Sequence, residues 1–426
     1  MPSPHRPCAF LLIAGWLVAG LLTACKKPDP PRPLPAQAFV WQRVWRPAVA
    51  EAVRGASTFE ALHVLAAELS IKDGQARIVT VEPDWPSLQQ PSRAIGAVLR
   101  LHGSIATRLS PQAAAQAIGD LAAATVRRFA AARVPLAELQ LDYDCPQSRL
   151  ADYTRLLREL KKVLPQIPLR ITALPAWLSE ASLPALLAES PDYVLQLHSL
   201  HLPEAGIPAT LFDPAEARRA VTQATRLGLP FRIALPTYSC LVEFDDDGRV
   251  CEVHGEDVPS GLALSGRRHL VLDSDAFALA EWLNDLRQQP PPTLSAVIWY
   301  RLPVATDRLN WPSETLTRLV AGTPLQRHWQ ATLERREDGA FEVLLHQEGD
   351  APDELPREIA LEWQMRGPAA ADGLRGYQVL EKHASHLVLQ LQQPGRHGRV
   401  RPGTKLTAGW VRFEHPPGDL AVKIRR

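Results

Sequence analysis

Residues 139–175 open on Leu139-Gln140-Leu141-Asp142-Tyr143-Asp144 and close on Leu169-Arg170-Ile171-Thr172-Ala173-Leu174-Pro175. Both stretches are short, apolar and bounded, as buried strands are. Between them Leu150, Tyr153, Leu156, Leu157, Leu160, Val163 and Leu164 recur in steps of three and one, which is the single face of an amphipathic helix. Strand, helix and strand in that order are the building step of an α/β fold.

The step repeats in both directions. Apolar runs stand at Phe39–Val44, Leu62–Leu69, Ile95–His102, Leu139–Asp144, Leu169–Leu174, Tyr193–His198, Phe231–Leu235 and Ala296–Leu302, and helical patterns occupy 111–132, 213–227 and 274–288. Eight repetitions match the arithmetic of a (β/α)8 TIM barrel. A doubly wound open sheet is the alternative, though not in its dinucleotide-binding form, because no Gly-x-Gly-x-x-Gly follows a strand. Three runs end in Leu-Pro, at Pro175, Pro236 and Pro303. Proline cannot donate to a sheet ladder, so each should stop its strand at the C-terminal rim, where barrels carry their chemistry.

Polar residues gather at that same end: Arg43, Glu68, Arg100, His102, Asp142, Asp144, Gln196, His198, Tyr238 and Arg301. Strand alternation puts Asp142 and Asp144 on one face, and likewise pairs Arg100 with His102 and Gln196 with His198. Charge inside a barrel is costly unless paired, so the acids and the Arg/His groups should neutralise one another. Trp41, Trp45, Trp85, Trp177 and Trp299 offer indole faces of the kind that stack on sugar rings.

From about residue 325 the period changes to two. Trp329, Ala331 and Leu333 alternate with polar residues, as do Phe341, Val343 and Leu345, then Ile359, Leu361, Trp363 and Met365, then Leu387, Leu389 and Leu391. Val411 and Phe413 continue the pattern, with turns at Asp338-Gly339 and Pro402-Gly403. This predicts a C-terminal antiparallel β-sandwich-like domain over 325–426, packed on a barrel of 39–322.

The N-terminus reads as an address. His5 and Arg6 precede an apolar run from Ala9 to Leu22, too short to span a bilayer but suited to a signal peptide over 1–24. Leu22-Thr23-Ala24-Cys25 resembles the lipobox of bacterial lipoproteins, which implies a lipidated Cys25. Lys26 after it resembles the sorting signal for the outer membrane. Residues 25–38 are proline-rich and should form a semi-rigid tether. The expected location is thus the cell envelope, lipid-anchored, on the periplasmic face of the outer membrane. With 47 Lys+Arg against 46 Asp+Glu the net charge is +1, which gives no case for nucleic acid.

Of five cysteines, Cys240 and Cys251 flank the Asp247-Gly248 hairpin signal and are expected to form a disulfide across it. Neither Cys-x-x-Cys nor His-x-x-x-His occurs, so no metal and no cofactor are expected.

Paired carboxylates on the fourth strand resemble those of barrel glycoside hydrolases, particularly the chitinase-like group with its Asp-x-Asp-x-Glu strand. Pro146 stands where that pattern has its glutamate, and Tyr238 stands where other barrel glycosidases have an acid on the seventh strand. More widely, the chain resembles a family of bacterial lipoproteins described as domain of unknown function 3142. That likeness rests on Phe39–Arg43, Leu65–Leu69, Leu141–Cys145, Thr172–Trp177, Gln196–Ser199, Ala234–Tyr238 and Trp299–Pro303. It implies a glycosidase-like barrel without an established activity. Asp144 is then the expected acid/base, with Asp142 and Tyr238 beside it. Arg43, Glu68, Arg100, His102, Trp177, Gln196, His198, Trp299 and Arg301 would hold a polysaccharide or glycan. A non-catalytic glycan- or envelope-binding lipoprotein is the rival expectation.

Overall fold

The structure is a computed structural model that describes residues 34–425 except 91, 104, 106–108, 165–166, 200–209, 257–267 and 395–397. The expected signal peptide, Cys25 and most of the expected tether lie outside the described residues. Eight parallel strands close into a barrel: β1 (Ala36–Val40), β2 (Ala61–Lys72), β4 (Ala94–Leu101), β5 (Leu136–Tyr143), β6 (Leu169–Ala173), β7 (Tyr193–Gln196), β8 (Phe231–Pro236) and β12 (Leu294–Tyr300). Their order is β1-β12-β8-β7-β6-β5-β4-β2, and β1 pairs with β2 to complete the ring. All eight expected runs are barrel strands. β1 starts at Ala36 because Ala36 and Ala38 are already buried against the surrounding layer.

Helices Pro47–Gly55, Pro111–Ala131, Leu150–Val163, Pro214–Arg226, Ala276–Gln288 and Ser313–Ala321 cover the outside. In Leu150–Val163 most of the face predicted from periodicity is buried, with Leu150, Tyr153, Leu156, Leu157 and Leu160 packed inward, while Val163 in the last turn is exposed. Each such side chain contributes about 1.5–3 kcal/mol of burial. Asp213 and Asp275 cap their helices by accepting from two backbone N–H groups each.

Two insertions depart from a plain barrel. β2 runs on into an antiparallel partner, β3 (Gln75–Thr80), through a turn in which Asp73 and Gly74 both have positive φ. That Asp-Gly turn signal stands in the sequence. After β8 the chain forms a three-stranded antiparallel sheet of β9 (Cys240–Phe244), β10 (Val250–His254) and β11 (His269–Leu272), in the order β10-β9-β11.

The described residues of the last hundred form eight strands: β13 (Trp329–Arg335), β14 (Phe341–Gln347), β15 (Glu358–Glu362), β16 (Ala370–Gly373), β17 (Tyr377–Lys382), β18 (His386–Leu391), β19 (Lys405–Arg412) and β20 (Ala421–Arg425). They make two four-stranded antiparallel sheets, β13-β14-β19-β16 and β17-β18-β15-β20. Val343, Leu345 and Val411 of one sheet meet Ile359, Leu361, Leu387 and Leu389 of the other in a shared core. The domain is tied to the barrel through Arg399, which donates to Asp273 through its backbone N–H and to Asp275 through its side chain. Arg401 donates to the carbonyl of Asp307, a loop residue at the barrel mouth.

Candidate functional site

Alternation along the strands fills the barrel in layers. At the N-terminal end Glu138 of β5 meets Arg232 of β8 at 2.9 Å and His63 Nδ1 of β2 at 3.2 Å, and Arg170 of β6 pairs with Asp192 at 2.6 Å. His63 reaches Glu138 across an intervening strand because Gly96 lies between them: a Cβ there would sit 2.6 Å from His63 Nδ1. Above this layer Phe39, Val98, Val194, Ala234 and Ile298 form an apolar plug. Above the plug the barrel opens into a cleft of about 820 Å³.

β5 continues its inward row through Gln140 and Asp142, and Asp144 follows just past the strand end. Both aspartates are held by one guanidinium: Arg100 Nη1 donates to Asp142 Oδ2 at 2.5 Å and Nη2 to Asp144 Oδ2 at 2.6 Å. The two acids differ in setting, since the Asp142 side chain is 9% exposed and that of Asp144 44%. Burial raises the Asp142 carboxyl above the usual range, against the pull of Arg100 and with help from the Asp144 charge. Arg100 is itself buried enough to lose some basicity, but the two aspartates outweigh this and hold it charged.

Glu68 reaches the cleft through a β-bulge. β2 carries one more residue than β4 between Leu65 and Ala67, so that Glu68 lies opposite Arg100 on the inward face. Unbroken alternation from His63 would have sent it outward. Glu68 accepts two hydrogen bonds from Arg43, at 2.6 and 3.0 Å, and lies 3.6 Å from His102 Nε2. Arg301 pairs with Asp307 at 2.7 Å on the opposite wall.

His198 stacks on Tyr300 at 5.0 Å, and its Nδ1 shares a hydrogen bond with the Tyr238 hydroxyl at 3.4 Å. Burial, with the Arg100 charge nearby, pushes its pKa down to about 3, so the ring is neutral near pH 7. Burial likewise raises the Tyr238 hydroxyl well above its ordinary range, which keeps it a neutral hydrogen-bonding group. Among the expected residues, Arg43, Glu68, Arg100, His102, Asp142, Asp144, Gln196, His198, Tyr238 and Arg301 all line the cleft.

Trp177 and Trp299 do not. Each is only 1% exposed. Trp177 packs on Tyr153 and Trp299 on Trp311, in the layer between sheet and helices. Trp299 alternates out of the barrel while its neighbours Ile298 and Tyr300 turn in. The aromatic side chains lining the cleft are Trp41 and Tyr300, 5.1 Å apart, with Tyr238 and, from the plug below, Phe39. Tyr300 was legible from the parity of β12. Glu256 was not: its carboxylate accepts from three successive backbone N–H groups, of Arg308, Leu309 and Asn310, and so fixes the loop that forms the far wall.

The expected Cys240–Cys251 disulfide is absent. The Asp247-Gly248 hairpin does form, but its register sets Val250 opposite Phe244 and places Cys251 in a bulge, where its thiol donates to the Glu243 carbonyl at 3.3 Å. Cys240 instead lies buried beside β11, opposite Leu272.

Fold and site together define a (β/α)8 barrel with a charged cleft at the C-terminal ends of its strands. Residues 91–305, half of the chain, match the family described as "Domain of unknown function (DUF3142)", and the chain belongs to that family. Residues 330–414 match a second description, "Domain of unknown function (DUF8456)". No curated protein matches the chain. Among solved structures, chitinase ChiA74 from Bacillus thuringiensis is 9% identical with a TM-score of 0.45, over 92% of this chain and all of that one. The spore cortex-lytic enzyme SleL from Bacillus cereus is 14% identical with a TM-score of 0.47, over 69% and 75%. A chitinase from Bacteroides thetaiotaomicron is 10% identical with a TM-score of 0.44, over 64% and 90%. These likenesses are too loose to carry function.

Proposed function

We propose that the cleft binds a glycan and hydrolyses its glycosidic bond through the Asp142/Asp144 pair. The observation that carries this reading is the single guanidinium shared by two carboxylates at the cleft floor. Two acids against one base leave a net negative charge in a partly buried place, and one proton relieves it. His198 cannot carry that proton at ordinary pH, since its pKa is held at about 3. Asp144, the more open of the two, delivers a proton to the leaving oxygen as the C–O bond breaks, and takes one back from the water that adds to the anomeric carbon. Asp142 beneath it holds the shared proton and, with Arg100, orients the outer carboxylate. Hydroxyl groups of a sugar meet acceptors at Glu68 and Asp144 and donors at Arg43 and Arg301. Trp41 and Tyr300 offer aromatic rings to the apolar sugar face, while His198 and Tyr238 position it.

The Arg100 clamp also supports a second reading, in which both carboxylates only accept hydroxyl hydrogen bonds and nothing is cleaved. Incubating the protein and Asp144→Asn with envelope polysaccharides separates the two. New reducing ends from wild type, lost in the variant, support hydrolysis. Equal binding by both proteins with no reducing ends leaves the binding role.

We infer further that the chain is lipid-anchored through Cys25 at the periplasmic face of the outer membrane. Leu22-Thr23-Ala24-Cys25 and the prolines after it support this. No helix among the described residues is long and apolar enough to cross a membrane. Cys25→Ser should abolish incorporation of labelled fatty acid and move the protein to the soluble fraction. If the variant stays labelled, lipidation at Cys25 is wrong.

A further inference from the structure

In the β-domain, the tip of the β17–β18 hairpin gathers three side chains of metal-ligand type. A two-residue turn, Ala384-Ser385, joins the strands, and the His383 N–H donates across it to the His386 carbonyl at 2.8 Å. His383 and His386 therefore stand opposite each other. Their rings stack, with centroids 4.4 Å apart and planes 21° from parallel. Glu381 lies two residues before His383, so alternation sends its side chain to the same face. Its Oε2 is 3.6 Å from His386 Nε2 and 3.9 Å from His383 Nε2.

The turn that carries the histidines is anchored from below. Trp363, only 4% exposed in the core of the β-domain, donates from its indole Nε1 to the Ala384 carbonyl at 2.8 Å. Its backbone N–H donates to the Ser385 carbonyl at 3.0 Å. The backbone is thus held in register while the two imidazoles stay open to solvent, at 60% and 32% exposure. Both turn Nε2 toward one carboxylate oxygen, and the three ligand atoms all fall within 4.8 Å of one another. Ligands at roughly 2.0–2.2 Å around a tetrahedral zinc ion are themselves roughly 3.3–3.6 Å apart. Small rotations of exposed side chains close that difference. On the next strand Glu362, itself paired with Lys423 at 3.0 Å, lies opposite His386 and brings a second carboxylate beside the ring.

We propose that Glu381, His383 and His386 bind a divalent transition-metal ion of the zinc type at the tip of the β17–β18 hairpin. Two imidazole nitrogens and one carboxylate oxygen suit zinc, whereas magnesium and calcium take oxygen ligands. Water completes the coordination from the solvent side. The ion clips the two arms of the hairpin together across the turn, and Trp363 carries that constraint into the core between the sheets. A helix spaces paired histidine ligands by four, but a two-residue turn brings together positions three apart. A His-x-x-x-His spacing therefore passes over this pair.

The test uses the full-length chain stripped with chelator, with zinc alone as the probe. Uptake is measured by equilibrium dialysis, and hydrogen exchange is followed over residues 377–391. Wild type should take up one more zinc ion per chain than the double variant His383→Ala/His386→Ala; zinc held elsewhere is common to both and cancels. Zinc should also slow exchange of the His383 amide in wild type and leave it unchanged in the double variant, while magnesium does neither. Glu381→Gln, at a side chain 47% exposed, should fold as wild type does and bind at least about tenfold more weakly, the loss typical even of an outer-shell partner. Equal uptake by wild type and the double variant, or uptake that leaves the hairpin's exchange unchanged, overturns the proposal. Wild-type affinity in Glu381→Gln would overturn the three-residue site.

Discussion

The barrel holds two ionic clusters on the same strand, four residues apart, and they behave in opposite ways. Glu138 near the start of β5 sits in a closed network with His63 and Arg232. Burial alone would raise its carboxyl, but the bonds and charges from those partners outweigh it and hold it at about 2. Asp142, on the same face of the same strand, has Arg100 as a partner and yet is raised. At the floor of the barrel Arg232 and Arg170 face Glu138 and Asp192, a balanced count. At the rim one arginine serves two aspartates. The floor network is therefore balanced in charge and structural, whereas the rim pair can take up a proton and opens on a cleft. Similar residues on one strand become scaffold or site according to how many partners face them.

Four measurements test that contrast. The largest effect should come from Arg232→Met, which leaves Glu138 and Asp192 to share Arg170 alone in place of two cations. A loss of about 3–5 kcal/mol is expected in denaturant unfolding, and a change below about 1 kcal/mol would remove the floor from the structural class. Next, Glu138→Gln should lose on the order of 3 kcal/mol at pH 7, because a depressed carboxyl contributes stability above its unfolded value of about 4.5 and loses it as pH falls toward about 2. Asp142→Asn should lose less than about 1 kcal/mol, because a raised carboxyl contributes stability only at low pH. Equal losses from the two substitutions would make floor and rim equivalent.

Gly96→Ala should destabilise by about 1–3 kcal/mol through contact with the His63 ring, leaving cleft binding unchanged. A neutral outcome in urea titration would mean that His63 moves freely and does not brace Glu138. The smallest effect at neutral pH belongs to His198. Its pKa is about 3 in the fold against 6.5 for an ordinary imidazole, so the stability it contributes is complete above about 6.5 and is lost as pH falls toward 3. Thermal midpoints measured from pH 7 to pH 4 should decline less steeply in His198→Phe than in wild type. His63, also lowered by burial, will leave some slope behind. Identical slopes would show that His198 is protonated or exposed in the native state.

Much of this was legible along the chain. The eight strands, the Leu-Pro stops, the helical face of 150–163 and the alternating tail follow from periods of two and 3.6, which local geometry imposes. The collection of ionisable groups at one rim follows from the same parity. What escaped depended on breaks in parity and on partners distant in sequence. Trp299 read as a cleft residue because a tryptophan beside a strand end suggests stacking. Its side chain in fact turns outward, and Tyr300 takes the inward place. The disulfide failed because the hairpin register sets Cys251 beside Glu243, three residues along β9 from Cys240, which faces Leu272 of β11 instead. Glu68, expected at the site, gets there only through a bulge that its own stretch does not announce.

The sequence by itself determined the order of strands and helices, the change to a β-domain near residue 325 and which face of each strand is apolar, since these are set by neighbours one to four residues away. Only the tertiary structure decided that Arg100 would be shared by two aspartates, that Gly96 would leave room for His63 to reach Glu138, and that His386 would stand opposite Glu362. Each of these depends on register between strands, and one added residue in a strand moves every later side chain to the other face.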